Sequence, residues 1–241
     1  MRDPNRSWTV LVTAEHGGYA VPPAYRELFR DRDALLRSHR GWDPGTLDLA
    51  RRLASRFEAP LFASDVTRLL VDLNRSAHHP RVFSEVTRPL ARPERMALIE
   101  GHHRPHRDAV RAAVADAVGE GARVVHLGVH SFTPELHGVT RVPDLALLYD
   151  PQRSGERELA AEWTRALAAA LPARAIRRND PYRGNADGLT TALRAIFADA
   201  DYLGIEVEVN QRHLGNGMRF PAWVEKALTE TLAGSAARAL D

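Results

Sequence analysis

The sequence predicts a single α/β domain with a mixed, mostly parallel β-sheet that is covered by helices on both faces. Short apolar segments alternate with amphipathic segments along the whole chain, which is typical of this class. The length of 241 residues suits one sizeable hydrophobic core. No internal repeat or low-complexity linker divides the chain. We therefore expect residues 1–241 to form one domain.

The individual elements follow from hydrophobic periodicity and from turn residues. Buried apolar runs predict strands at 8–13, 60–63, 69–72, 123–129, 145–149, 175–178 and 202–209. Spacing of three to four residues predicts helices at 45–57, 93–117, 156–171 and 222–236. In the first of these helices, Leu49, Leu53 and Phe57 fall on one side, and Gly119 and Gly121 end the second.

Composition excludes several classes of protein. No run of 18 or more apolar residues exists, so we expect no membrane-spanning helix. The first six residues contain no apolar segment, so we expect no secretory signal and a cytoplasmic location. The sequence has no cysteine, which excludes disulfides, thiolate metal ligands and a cysteine nucleophile. Any metal site must therefore be built from histidine and carboxylate side chains.

Charge does not point to a nucleic-acid partner. The formal net charge is +2 although the isoelectric point is about 9.3, because Lys226 is the only lysine among 33 basic residues and arginine stays charged far above neutral pH. Acidic residues are interspersed with the arginines, so no basic stripe forms. We expect a small-molecule substrate and no membrane partner, and a monomer and a small homo-oligomer both stay open.

Polar residues that can do chemistry follow several predicted strands. His16 comes after the first strand, Asn74 and Arg75 after the strand at 69–72, and His130 after the strand at 123–129. Glu206 and Glu208 share one face of the last strand because side chains alternate with a period of two. Ligands of open α/β sheets bind outside the carboxyl ends of the strands. We therefore expect these side chains to converge.

This set of residues favours metal-assisted amide hydrolysis. A catalytic zinc commonly takes two histidines and a carboxylate and leaves one position for water. His16 and His130 suit the histidine positions, a glutamate of the last strand suits the general base, and Arg75 suits a clamp for a substrate carboxylate. The third ligand stays open at this point. The sequence contains no G-x-S-x-G, H-E-x-x-H or phosphate-binding loop motif for a rival chemistry.

Six short motifs resemble the N-formylglutamate amidohydrolase family, in that family's order and over about residues 9–230. They are Glu-His-Gly-Gly at 15–18, Trp-Asp-Pro-Gly-Thr at 42–46, Thr-Arg-Leu-Leu-Val-Asp-Leu-Asn-Arg at 67–75, His-Ser-Phe-Thr-Pro at 130–134, Asn-Asp-Pro-Tyr at 179–182 and Ile-Glu-Val-Glu-Val-Asn-Gln at 205–211. That family is similar in fold to the zinc carboxypeptidases, so the resemblance implies a zinc-carboxypeptidase-like (phosphorylase/hydrolase-like) fold.

The resemblance also implies roles for individual residues. Asn74 and Arg75 would hold a substrate carboxylate, and Glu208 rather than Glu206 would be the base. Zinc carboxypeptidases take a ligand from a glutamate three residues after the first histidine, where this chain has Tyr19. The resemblance therefore favours Asp43 as third ligand. Its carboxylate could equally cap the helix that begins near Pro44, and Glu15 is the alternative ligand.

Three further residues complete the predicted site. Arg68 would stabilise the developing oxyanion, Arg141 would line the substrate mouth, and His106 would take part in the pocket. The whole set implies an amide hydrolase with one divalent metal, zinc being the expected ion, that releases formate from an N-formyl acidic amino acid such as N-formylglutamate. The alternatives are a related N-acyl amino acid amidase or carboxypeptidase and, because of Tyr19, an inactive protein that binds acidic ligands.

Overall fold

The fold is built around one six-stranded sheet in the computed structural model, which describes residues 7–240. The prediction made for the first six residues lies outside this range. Spatial strand order is β2-β1-β3-β8-β6-β7, with bounds β1 (Trp8–Ala14), β2 (Leu61–Ala63), β3 (Arg123–Phe132), β6 (Leu145–Leu148), β7 (Ile176–Arg178) and β8 (Tyr202–Asn210). A separate hairpin joins β4 (Glu135–Leu136) to β5 (Val139–Thr140).

The sheet is mixed, as predicted. Strands β2, β1, β3 and β8 run parallel, and β6 pairs antiparallel with β8 while β7 runs parallel to β6. Every residue of β3 is buried, because a central strand covered on both faces has no solvent side. The register places His130 opposite Glu208 on the neighbouring strand. Neighbouring strands lie about 4.8 Å apart, so this pairing brings two of the predicted site residues together.

Helices cover both faces. On one face, α2 (Thr46–Phe57), α5 (Ser154–Ala170) and α7 (Ala222–Leu240) pack on the sheet around the fully buried Trp163. On the other face lie α4 (Arg104–Gly119) and α6 (Leu189–Arg194). Two shorter helices, α1 (Asp33–Arg37) and α3 (Arg92–Leu98), pack in a second apolar cluster beside the sheet. Within residues 7–240, no helix combines the length and apolarity that a bilayer crossing needs.

The predicted strand at 69–72 is wrong. Leu69, Leu70 and Val71 are buried, but they form turns within the second apolar cluster instead of a strand of the sheet. The Thr87 hydroxyl donates to the Leu70 carbonyl oxygen at 2.9 Å, and the Ser84 hydroxyl donates to the Leu69 carbonyl oxygen at 2.5 Å. Side chains therefore satisfy the carbonyl groups that a sheet would otherwise pair. An apolar run of this length cannot distinguish the two outcomes.

The predicted helix at 93–117 is interrupted. A π-helical turn at Ile99–His103 separates α3 from α4. Pro105 lies at the start of α4 and has no backbone N–H to donate to the Gly101 carbonyl, so the regular hydrogen-bond ladder breaks there. The wider turn directs the His103 ring toward the loop after residue 72, where Nε2 donates to the Arg75 carbonyl oxygen at 2.8 Å. This interruption thus supports the loop that carries Asn74 and Arg75.

Candidate metal centre and substrate cleft

Three side chains meet at one edge of the sheet and could hold a metal ion. They are His16, which follows β1, Asp43, which precedes α2, and His130, which lies near the end of β3. The Asp43 backbone N–H donates to the His16 carbonyl oxygen at 2.9 Å, so the two loops are joined directly. Gly45 has a φ of +83°, a conformation that favours glycine, and Leu214 and Phe220 fill the space a Cβ would need. This turn lets the chain enter α2 immediately after Asp43.

The donor atoms have the spacing of metal ligands. His16 Nδ1 lies 3.3 Å and His130 Nδ1 lies 3.1 Å from Asp43 Oδ2. Ligands bound at about 2.0–2.1 Å in a tetrahedron are separated by about 3.3 Å. All three side chains are buried. Two imidazoles and one carboxylate also match the ligand set of catalytic zinc, so the residues present fit a single divalent metal. Asp43 does not cap α2, because Gly45 occupies the cap position and no side chain caps it.

Each histidine is backed by a second carboxylate on the side away from Asp43. His16 Nε2 lies 2.7 Å from Asp72 Oδ1, and His130 Nε2 lies 3.4 Å from Glu15 Oε2. Such partners fix the ring orientation and raise the basicity of a ligating imidazole. Glu15, the alternative ligand, thus faces the far nitrogen of His130 and not the ligand cluster. Asp72 also accepts a hydrogen bond from Arg68 at 2.7 Å, so it joins His16 to Arg68.

The carboxylates of this cluster stay ionised. Burial by itself would raise the pKa of Asp43, but the neighbouring His16, the hydrogen bond from His130 and the Arg68 charge hold that pKa below its usual value. Burial likewise opposes ionisation of Asp72, and the Arg68 and His16 charges more than compensate, so the pKa of Asp72 is also lowered. Two ionised carboxylates around His16 favour a cation at this place.

Glu208 differs from the other acids of the site. Burial raises the pKa of Glu208 to about 8, with the nearby Asp43 and Glu206 carboxylates adding to the increase. Its Oε2 atom is buried, and among residues 7–240 it has no hydrogen-bond partner. Glu206, two residues earlier, instead accepts from the Thr190 hydroxyl at 3.1 Å. Glu15 and Asp72, and not Glu206, are the carboxylates that face the far nitrogens of the two histidines. Glu208 is therefore the cleft carboxyl whose pKa lies closest to neutrality and whose Oε2 stays available to exchange a proton.

A cleft with a volume of about 920 Å³ opens over these residues. Arg68, Asn74, Arg75 and Arg141 line it, together with both histidines, Asp43 and Glu208. The sheet edge thus gathers eight of the nine residues predicted for the site.

Asn74, Arg75 and Arg141 each keep side-chain N–H donors that could bind a ligand. Asn74 Oδ1 accepts from the Leu189 backbone N–H at 2.7 Å, which leaves the Asn74 amide NH₂ group as a donor. Arg75 uses Nη1 to donate to the Asp187 carbonyl oxygen at 3.1 Å. Arg141 lies over the Phe132 and Tyr182 rings, and its Nη1 donates to the Tyr182 hydroxyl at 2.8 Å.

His106 is the predicted residue that the structure does not bring to this cleft. Its side chain lies behind the sheet edge, 3.6 Å from Glu15 Oε1, and lines a separate cavity of about 190 Å³. A role in touching substrate is therefore corrected to contact with Glu15. The helical spacing of His102 and His106 does not reveal which direction the ring faces.

Other cleft residues were not identified from the sequence. Arg81 and the β4–β5 hairpin, with Glu135, Leu136 and His137, also line the cleft. Arg81 lies in a loop, and β4 and β5 are two-residue strands outside the six-stranded sheet. The position of polar residues after predicted strands therefore gave no signal for them. Gln211 is a partial exception. It belongs to a motif quoted above, and its side-chain NH₂ group donates to Ser131 Oγ at 3.0 Å.

Comparison with known proteins agrees with this architecture. A gene product of Agrobacterium tumefaciens of known structure shares 27% sequence identity with a TM-score of 0.80, covering 99% of this chain and 94% of that one. The structure of an N-formylglutamate amidohydrolase from Ralstonia eutropha shares 18% identity with a TM-score of 0.67, covering 96% of this chain and 94% of that one. A search among curated protein sequences gave no match.

The sequence itself matches a family model. The model of the N-formylglutamate amidohydrolase family aligns with residues 8–214, a span that contains the three candidate metal ligands and Glu208. The TM-score of 0.67 with the R. eutropha structure shows that the two chains share a fold. Because the matched span is well over half of its length, this chain belongs to the N-formylglutamate amidohydrolase family.

Proposed function

We propose that the protein is a zinc-dependent hydrolase that releases formate from an N-formyl acidic amino acid, N-formylglutamate being the substrate that best matches the family and the cleft. The single observation that carries the proposal is Glu208, a buried carboxyl with an unpartnered oxygen beside two histidines and an aspartate at ligand spacing. His16, Asp43 and His130 would hold the ion. Bound zinc would supply a Lewis acid that activates water and polarises the scissile carbonyl.

Glu208 would move the proton. Its free Oε2 can accept a proton from the attacking water and deliver it to the leaving nitrogen, as a general base and then a general acid. A base is most effective when its pKa lies near the working pH. Burial holds the pKa of Glu208 at about 8, and a dication held by the neighbouring His130 and Asp43 would lower it toward neutrality.

The arginines would bind the anionic parts of the substrate. Arg68 is fixed by Asp72 at 2.7 Å and Asp43 at 3.4 Å, and the guanidinium has five donors, so it keeps free N–H groups for the carbonyl oxygen that gains charge. Arg75 and the Asn74 amide would bind one carboxylate of the substrate, and Arg141 the other. Tyr182 holds Arg141 in place through its hydroxyl.

The test is formate release from N-formyl-L-glutamate by zinc-loaded protein. Glu208→Gln is expected to lower kcat by at least about 100-fold, the usual contribution of a general base, while zinc binding is retained. Glu206→Gln is the matched control, because its side chain contacts Thr190 and is expected to keep most activity. Absence of formate release from a panel of N-formyl amino acids, or full activity of Glu208→Gln, would contradict the proposal.

A further inference from the structure

The cleft has more cationic side chains than the proposed substrate uses. Six arginines line it. Arg68 is paired with Asp43 and Asp72, and Arg40 is paired with Glu85 at 2.6 Å. For the other four, no carboxylate of residues 7–240 lies within 4.0 Å. These four are Arg75, Arg81, Arg141 and Arg183.

Two of the four have no role in binding N-formylglutamate as proposed above. That molecule has two carboxylates, which Arg75 and Arg141 would bind. Arg81 and Arg183 remain, and both are exposed on loops at the cleft. The cleft also contains carboxylates, Glu135 and Asp187 among them, but among residues 7–240 none lies within 4.0 Å of Arg81 or Arg183. These two guanidinium groups are therefore free to pair with an anionic ligand. Such an arrangement favours a ligand with further negative charge.

The size of the cleft also favours a ligand larger than an N-formyl amino acid. About 920 Å³ lies at the upper end of the roughly 300–1,000 Å³ range of pockets that hold drug-sized ligands. An N-formyl amino acid is far smaller than that. Leu136 and Tyr182 line the same cleft, and their apolar surfaces suit the methylene groups of a flexible chain.

We infer that the substrate of this site is an N-acylated acidic peptide with at least three carboxylates, in which Arg81 and Arg183 bind the carboxylates of the residue beyond the first. This inference rests on the proposed function, because it assumes that the acylated nitrogen lies at the His16, Asp43 and His130 cluster. A peptide matches the cleft because its carboxylates are spaced along a chain that can extend outward from the buried amide.

The reaction is the same amide hydrolysis. Water adds across the C–N bond, the acyl carbon takes the hydroxyl oxygen, and the nitrogen leaves as the free amine of the peptide after receiving a proton. No further reactant is required.

The experiment compares N-formyl-Glu, N-formyl-Glu-Glu in its α- and γ-linked forms, and N-formyl-Glu-Gln amide, which lacks the added carboxylates. With zinc-loaded protein, kcat/KM for at least one form of N-formyl-Glu-Glu is expected to exceed that for the other two substrates by about tenfold, the effect of a charge-assisted contact. In the double variant Arg81→Gln/Arg183→Gln, the ratio between N-formyl-Glu-Glu and N-formyl-Glu is expected to fall to near one.

A control variant separates local contacts from overall charge. Arg32→Gln/Arg51→Gln removes the same charge from two exposed arginines that do not line the cleft, and it is expected to leave the ratio unchanged. Calorimetric binding of N-formyl-Glu-Glu to the Glu208→Gln protein gives a second readout that needs no turnover. There we expect about tenfold tighter binding than for N-formyl-Glu, and loss of that difference when Arg81 and Arg183 are replaced.

The two proposals can fail separately. If no substrate releases formate but Glu208→Gln protein still binds N-formyl-Glu-Glu through Arg81 and Arg183, the deformylase function is wrong and the binding inference stands. If N-formyl-Glu is hydrolysed and neither form of N-formyl-Glu-Glu is preferred, or the preference survives replacement of Arg81 and Arg183, the inference is overturned.

Discussion

Removing the charge behind His130 should weaken metal binding even though Glu15 lies outside the proposed ligand cluster of His16, Asp43 and His130. In Glu15→Gln the side chain keeps its length and one acceptor oxygen, but the carboxylate that faces His130 Nε2 at 3.4 Å becomes neutral. The ring is then less firmly oriented and less basic. Loss of such a partner typically costs about 10–100-fold in metal affinity, or about 1.4–2.8 kcal/mol.

The distances from Glu15 to His130 and from Asp72 to His16 predict losses of zinc affinity of different size. The contact between Glu15 and His130 is long, so Glu15→Gln is expected near the lower end, about tenfold. Asp72 contacts His16 Nε2 at 2.7 Å and also holds Arg68. Asp72→Asn is therefore expected near the upper end, about 100-fold.

The assay is calorimetric titration of metal-free protein with zinc at fixed pH, with circular dichroism to check that each variant is folded. Glu206→Gln is the control, because it removes a cleft carboxylate that binds Thr190 and contacts neither histidine. Its zinc affinity is expected to stay within about twofold of the wild type, well below the smallest effect of an orienting carboxylate. Wild-type affinity in both Glu15→Gln and Asp72→Asn would refute the reasoning. An equal loss in Glu206→Gln would show that overall charge, and not ring orientation, is responsible.

Three further outcomes are expected. Arg75→Ala should raise KM for N-formylglutamate about tenfold and leave a neutral N-formyl amide unaffected, and an equal loss on both substrates in steady-state kinetics would exclude a carboxylate clamp. Burial lowers the pKa of His126 to about 4, so as the pH falls below about 6.5 the unfolded chain takes up a proton on this ring while the folded chain does not. Between pH 7 and pH 5, the free energy of unfolding measured in urea should therefore fall by about 2 kcal/mol more in wild type than in His126→Asn. The exposed-histidine variant His78→Gln should behave like wild type. Gly45→Ala should lower the free energy of unfolding by roughly 1–3 kcal/mol, because its positive φ and filled surroundings leave no room for a Cβ, whereas Gly119→Ala, with open space around it, should not destabilise the protein.

Hydrophobic periodicity predicts the six strands of the sheet, and the position of polar residues after strands places His16, Asn74 and His130 at its edge. The choice of Asp43 and of Glu208 over Glu206 came instead from the family resemblance. The strand that carries His130 is buried throughout, and the strand that carries Glu208 is buried except at the half-buried Glu206. Strands covered on both faces in this way are typical of the centre of a parallel sheet. His16 and Asn74 were predicted because a polar residue after a strand reaches the same sheet edge as its neighbours. Asn74 reached that edge even though the residues before it form turns, because buried Leu69 and Leu70 still anchor the loop beside the sheet.

What could not be predicted depends on side-chain direction and on contacts distant in sequence. Glu15 and Asp43 were both candidate ligands, and only the folded loops show that Asp43 meets both Nδ1 atoms while Glu15 lies behind His130. His106, on helix α4, lies 3.6 Å from Glu15, which is 91 positions earlier in the sequence. Arg81 reaches the cleft from an exposed loop with no regular period, so no pattern in the sequence predicts its place.

The central claim is that His16, Asp43 and His130 hold one divalent metal that hydrolysis requires. Its most direct test is the zinc stoichiometry of purified protein, measured by elemental analysis and by calorimetric titration, in wild type and in His130→Ala. We predict one tightly bound zinc per chain in wild type, near-complete loss of binding in His130→Ala, and loss of formate release in parallel. A wild-type protein that binds no metal after reconstitution, or a His130→Ala protein that binds zinc as tightly as wild type, would contradict the account.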